Sequence, residues 1–376
     1  MEKTRESNFE LLRIVSMFLI IWHHLCRHGI FFAPNVAMDF NTIIGKGFLI
    51  WSGNLGNYLF IFVSGYFISN SIFNYKKMFK LWLQIFSTSA IIGLILYVFK
   101  IQLVTADVDF FGFYNSIDKI GILGRAFTSR DLIKSFLPTL LGNNWFASSY
   151  LVFFMFTPFL NESLKFLDRK KFRNLIILLT FWGTIVCMFP GQGIFQKNNL
   201  FYFIHGYYIA NYIRIYDPIF LKNQKRNLGL VLAISSIFVV WIVLVLKYRD
   251  VFPFINSHFG DVFCYPFALA KFPALLNAVF LFAFFKNLRI RYSKLINLVA
   301  GTTFGVYLIH ENLFFNKILW HRIFKMDDFL ASNLLLPYMI FAVISTFVVC
   351  SIIDLIRKKI IEQPILALVD KKLKQP

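Results

Sequence analysis

Ten blocks of mostly apolar residues, each close to the ~20 that a helix needs to cross a bilayer, run along this chain at roughly 9–29, 47–69, 79–100, 140–160, 174–190, 200–215, 228–246, 271–286, 295–317 and 332–356. Such blocks are apolar all round, not along one stripe, so a water-soluble core cannot absorb them. In lipid every backbone N–H and C=O must find a partner within its own segment. The predicted fold class is therefore all-α: a polytopic integral membrane protein of about ten transmembrane helices. Composition agrees, with 58% hydrophobic and only 15% charged residues, against about 25% charged in soluble domains.

The 39 Lys+Arg exceed the 19 Asp+Glu by 20 charges, which invites a nucleic-acid reading until their positions are considered. They lie between the apolar blocks, and no zinc-finger, RNP-like or helix-turn-helix pattern accompanies them, so no nucleic-acid partner is expected. Cytoplasmic loops carry the basic excess. With the N-terminus inside, the inner stretches include Lys76, Lys77 and Lys80, then Lys165 to Arg173, then Lys286 to Lys294, and the run from Arg357 onward. Both termini are then cytoplasmic. The eighth block follows a Pro-containing segment, 250–272, that reads as a loop or re-entrant piece. The first block lacks a small-x-small cleavage site and reads as a retained span. No repeat or soluble appendage appears, so residues 1–376 are expected to form a single membrane-embedded domain. Cys26, Cys187, Cys264 and Cys350 form no C-x-x-C pair, which argues against a disulfide framework or a zinc site.

Ionisable groups inside spans cost ~2.5–3.5 kcal/mol each on insertion scales, so each requires an account. The first block holds Arg13, His23 and His24. Arg13 and His24 are three helical turns plus about 20° apart, so both project from one face, separated by about 16 Å of rise. His23 is turned about 80° away. Arg13 alone reads as a snorkelling residue near the inner interface, and His24 alone as a buried imidazole bonded to a neighbouring helix. Together on one stripe they also make a cleft in which a guanidinium neutralises an anion and an imidazole removes a proton near neutral pH.

These residues carry a resemblance. Arg13, ten intervening residues and His24 resemble the first-span signature of the acyltransferase-3 family, integral-membrane O-acyltransferases of bacterial surface polysaccharides. LFIFVSGYFIS at 59–69, with Ser64 and Gly65, is similar to the family's second-span FFxxSGxxI motif. Lys77 and Lys80 stand where the family has R/K-x-x-R/K at the start of the third span. NNWFASSYLVFF at 143–154, with Trp145 and Tyr150, is similar to WFxxxYL, and GTTFGVYLIHENLFF at 301–315 resembles the late SxxxYxxH helix, with Thr in place of Ser. The five motifs occur in the family's order over nearly the whole chain, without the SGNH esterase-like domain of some relatives.

The resemblance implies a multi-pass protein of the bacterial cytoplasmic membrane, in contact with membrane lipid. It would take acetyl-CoA or another acyl-CoA as co-substrate from the cytoplasm, with no metal. The acceptor would be a hydroxyl of a cell-surface polysaccharide, capsule or wall glycan, or of its lipid-linked precursor, and a separate extracytoplasmic transferase is a conceivable partner. An alcohol attacking a thioester needs a base and stabilisation of the oxyanion. His24 is the candidate base, or a transient acyl carrier. Arg13 lies on its stripe, and Arg13, Lys77 and Lys80 lie where the donor's phosphates would arrive. Ser64, Trp145, Tyr150, His310 and Glu311 are candidates for the substrate site. For Ser64 with Gly65 the competing role is close helix packing, for the aromatics an interfacial belt, and for His310 with Glu311 a buried structural bond. His205 reads as structural or gating, and Asp354 with Arg357 as an ordinary i,i+3 ion pair. A succinyl-type acyltransferase and a transporter of glycan or acyl groups remain as alternatives, although no duplicated halves of the transporter kind are visible.

Overall fold

The computed structural model describes residues 6–30, 49–69, 73–105, 123–141, 144–188, 199–248, 271–330 and 332–373. The longer helices are α1 (Ser7–Leu25), α2 (Leu49–Ile68), α3 (Tyr75–Val98), α5 (Trp145–Leu164), α6 (Arg169–Thr180), α7 (Asn199–Tyr216), α8 (Gln224–Tyr248), α9 (Phe272–Lys286) and α12 (Leu335–Arg357). Short helices α4 (Ser129–Phe136), α10 (Lys294–Ala300), α11 (Thr303–His310) and α13 (Gln363–Leu373) complete the described set. π-helical turns extend α1 through Cys26–Ile30, α6 through Phe181–Ile185 and α12 through Lys358–Glu362, and another stands alone at Ile318–Ile323.

Every apolar block contains helix among its described residues. Among the described residues, five stretches are long and apolar enough to cross a membrane by length and composition: Ser7–Gly29, Tyr75–Val98, Arg169–Met188, Gln224–Leu244 and Leu335–Lys371. The α8 window is only 22% buried, and Leu232, Ile237, Val240 and Val243 stand exposed along it. A soluble monomer does not leave a helix-long apolar face bare, whereas lipid covers it. The protein is an all-α polytopic membrane protein. The ninth block differs from the continuous span predicted: it breaks at Gly301–Thr302 into α10 and α11, and α11 stops at His310. The loop or re-entrant reading of 250–272 falls, apart from Lys271 and Phe272, outside the described residues, as does Cys264. Cys26, Cys187 and Cys350 are buried.

The chain divides into two compact units, 1–23 with 43–73 and 152–301, and 24–42 with 74–151 and 302–376. In the first unit α2 lies against α7 and α9, and α9 against α8, around a core that includes Phe9, Leu12, Tyr58, Phe62, Phe238 and Phe282. The α2–α7 approach is close enough that a Cβ at Gly65 would sit 2.9 Å from Tyr207 Cα. Asn211 Nδ2 donates to Gly65 O at 3.2 Å across the same crossing.

In the second unit α3 lies against α4 and α11, and α11 against α12. Asn74 caps α3 by accepting from Lys76 N. The two strands Leu103–Thr105 and Leu123–Arg125 pair antiparallel and lead into α4, whose capping box joins Thr128 and Asp131. Arg125 forks onto Asp131 at 2.7 and 3.0 Å. Burial alone would raise the Asp131 carboxyl, but its bonds from Arg125 and Thr128 outweigh that and hold it down at about 2.

Candidate active site

The second unit gathers three imidazoles and one carboxylate from segments far apart in sequence. His24 lies in the last turn of α1, His28 in the π-helical turn behind it, and His310 and Glu311 at the end of α11. α11 can deliver them because it ends there: Glu311 N turns back onto Tyr307 O. The start of α11 is held by α12, through Thr302 Oγ1 donating to Ser351 Oγ at 2.9 Å. Gly305 packs so tightly on Asp354 that a Cβ there would fall 2.1 Å from the carboxyl carbon.

Hydrogen-bond partners fix the tautomers. His310 Nδ1 faces the Val306 carbonyl at 2.6 Å, and a carbonyl only accepts, so Nδ1 carries the proton. Neutral His310 then accepts on Nε2. The 2.9 Å contact from His24 Nδ1 to that nitrogen makes His24 Nδ1 a donor, which puts the lone pair of neutral His24 on Nε2. Glu311 Oε2 lies 3.3 Å from the same His24 Nδ1, and Oε1 lies 3.2 Å from His28 Nε2. A carboxylate thus stands behind the donor nitrogen of a buried imidazole whose other nitrogen is basic. That is the arrangement that orients a general base and stabilises its imidazolium. Tyr307 closes one side, its ring centroid 6.2 Å from that of His24 and 5.5 Å from that of Phe146.

The other candidates from the sequence are distributed as follows. Arg13 lies on α1, with its guanidinium on Glu10 at 3.1 and 3.2 Å. His23, turned away as its helical angle predicts, packs against Gly53 of α2, where a Cβ would meet its ring at 2.3 Å. Ser64 is buried beside the tight Gly65 crossing, which is the geometry of helix packing. Trp145 opens α5, edge-on to Phe146 at 5.5 Å, and Tyr150 stacks at a tilt on Phe304, 5.9 Å away. In this way the WFxxxYL segment meets α11 through aromatic rings. Lys77 is exposed, whereas Lys80 lies 3.3 Å from Glu362 and Lys76 contacts Asp370 at 2.5 Å. His205 Nε2 bonds Thr180 Oγ1 at 3.0 Å, deep in the first unit, a structural place.

Asp354 and Arg357 form more than the ordinary i,i+3 pair expected. Both are buried. Arg357 donates to Asp354 Oδ1 at 3.0 and 2.9 Å, to Glu362 Oε2 at 2.7 Å and to Ser87 Oγ at 3.2 Å, and Gln84 Nε2 and Lys358 also reach Asp354. The π turn at Lys358–Glu362 is what swings Glu362 back to the guanidinium, and no local spacing rule contains it. His28 was also missed by sequence reasoning. Its signal was present as the i,i+4 spacing from His24, which points outward along the helix instead of inward towards Arg13. Among the described residues no set of three or more His, Cys, Asp or Glu is grouped as metal ligands.

Comparison with known proteins returned one finding. Neither the curated proteins nor the solved structures gave a match. The family model Acyl_transf_3, described as an acyltransferase domain, matches residues 6–355 and so takes in α1 through most of α12. A match of that extent, on a chain of membrane-crossing helices, shows that this protein belongs to the acyltransferase-3 family and is a membrane acyltransferase.

Proposed function

We propose that the protein moves an acetyl group from acetyl-CoA, entering from the cytoplasm, to a hydroxyl of a cell-surface polysaccharide or its lipid-linked precursor, with His24 as general base. The observation that carries this reading is the hydrogen-bond chain Val306 O, His310, His24, with Glu311 beside it, which puts a basic Nε2 on a buried first-helix imidazole. Nε2 takes the alcohol proton as the oxygen bonds to the thioester carbonyl carbon. The C–S bond then breaks, the electron pair leaves on sulfur, and the imidazolium returns the proton to give free CoA thiol. Glu311 offsets the positive charge that His24 gains in between. Arg13, Lys77 and Lys80 receive the phosphates of the donor from the inner side. Lys77 is exposed for this role, and Lys80 would exchange Glu362 for a phosphate. The basic loops support an orientation with both termini in the cytoplasm, and the family supports a place in the bacterial plasma membrane. Hand-over to a separate extracytoplasmic transferase would suit acceptors that lie beyond the bilayer.

The test is thiol release by purified protein with acetyl-CoA and acceptor glycan, paired with NMR of the surface glycan for acetyl signals. Wild type should release thiol and His24→Ala should not, at equal protein in the membrane. Full activity in His24→Ala would remove the mechanism. No thiol release with acetyl-CoA, but release with succinyl-CoA, would move the donor to the succinyl class. Release with neither would favour a transporter. Label retained on wild type after a rapid denaturing quench at neutral pH, and absent from His24→Ala, would make His24 an acyl carrier instead of a base.

A further inference from the structure

We propose that His28 is a positioning residue of this site: it holds Glu311 with one oxygen turned to His24. The inference rests on the reading of His24 as the base. Glu311 uses its two oxygens on two different imidazoles, Oε2 at 3.3 Å from His24 Nδ1 and Oε1 at 3.2 Å from His28 Nε2. An ionised carboxylate only accepts, so His28 donates from Nε2.

His28 is itself held. It sits in the π-helical turn Cys26–Ile30, a local winding that recurs at functional sites, and its carbonyl accepts from His321 Nε2 at 2.7 Å. The other ring nitrogen of His321 faces Asp327 Oδ2 at 2.7 Å, so a second contact between an imidazole and a carboxylate anchors the turn. A Cβ at Gly29 would meet Trp320 and Met326 at 3.2 and 3.3 Å, which shows how closely the turn lies on the 318–323 and 326–329 segments. Glu311 makes a ring contact with His28, and the His24 ring lies 5.9 Å away, centroid to centroid.

The experiment measures kcat and KM for acetyl-CoA, by thiol release, in wild type, His28→Ala and His28→Gln, with elution as a folded species checked first. Gln keeps an N–H donor near the Nε2 position. His28→Ala should lose about tenfold in kcat with KM unchanged, and His28→Gln should recover most of that loss. If His28→Ala does not fold, His28→Leu, which fills the same space without a donor, takes its place in the comparison. Equal losses in the donor-less variant and in Gln, wild-type kcat in the donor-less variant, or a change confined to KM would overturn the proposal. Activity surviving in His24→Ala would instead bring down the reading beneath it, so the two failures are separable.

Discussion

At residue scale the question is why an imidazole in the first span should have its basic nitrogen pointing the right way. A lone buried histidine is free to choose its tautomer, and the choice here is made at the far end of the sequence, by the Val306 carbonyl acting through His310. His310 and Glu311 consequently do different things to the same nitrogen of His24: one supplies an acceptor, the other a charge. Replacing Glu311 by Gln keeps an acceptor oxygen and removes the charge, so kcat for thiol release should fall about 10²-fold with little change in KM. His310→Ala removes the acceptor and leaves the charge, and should cost less, on the order of 10-fold. Measured side by side, a larger loss in His310→Ala than in Glu311→Gln would say that orientation outweighs charge stabilisation. The sequence revealed His24 through its cost in a span and its family motif. It could not reveal the carboxylate's second imidazole, because the pairing of His28 with Glu311 joins residues 283 apart.

At the scale of elements, hydropathy identified helices well and their ends poorly, for a physical reason. A window average registers apolar length, and all ten blocks did contain helix. It does not register that Gly301 and Thr302 break the ninth block, or that α12 must then hold the short piece α11 in place. The buried cluster of Asp354, Arg357, Glu362 and Gln84 makes that hold rigid. Removing one partner of such a cluster leaves an uncompensated charge, at a cost of ~3–5 kcal/mol. The contact with α11 is steric, at Gly305, so Gly305→Ala is the cleaner probe: its new Cβ would lie 2.1 Å from the Asp354 carboxyl carbon, and α11 has to move. Displacements of this kind cost up to ~10²-fold in rate, together with roughly 1–3 kcal/mol of stability. Thiol-release kinetics on Gly305→Ala should therefore show a kcat loss with KM for acetyl-CoA retained. Wild-type kinetics in that variant would mean that α11 does not need α12 to present His310.

For the whole molecule, the charge pattern makes a claim that the folded helices do not themselves test, namely which ends face the cytoplasm. Basic residues cluster at the start of α3 and across the turn into α6, with Lys170 exposed, while Arg130 stands exposed on α4, between the third and fourth apolar blocks, where an inside N-terminus puts the chain outside. If the bias in Lys and Arg sets orientation, a cysteine at Lys170 is shielded from a membrane-impermeant maleimide until the cells are opened, and one at Arg130 is labelled in intact cells. The background should carry Ala at Cys26, Cys187, Cys264 and Cys350. Three of these thiols are buried and should label little even before replacement. The outcome bears on the chemistry as well as the topology, because Lys77 and Lys80 begin the same helix whose inner end this orientation assigns to the cytoplasm. The reverse labelling would turn those lysines away from the compartment that holds acetyl-CoA, and the donor's phosphates would then need other partners.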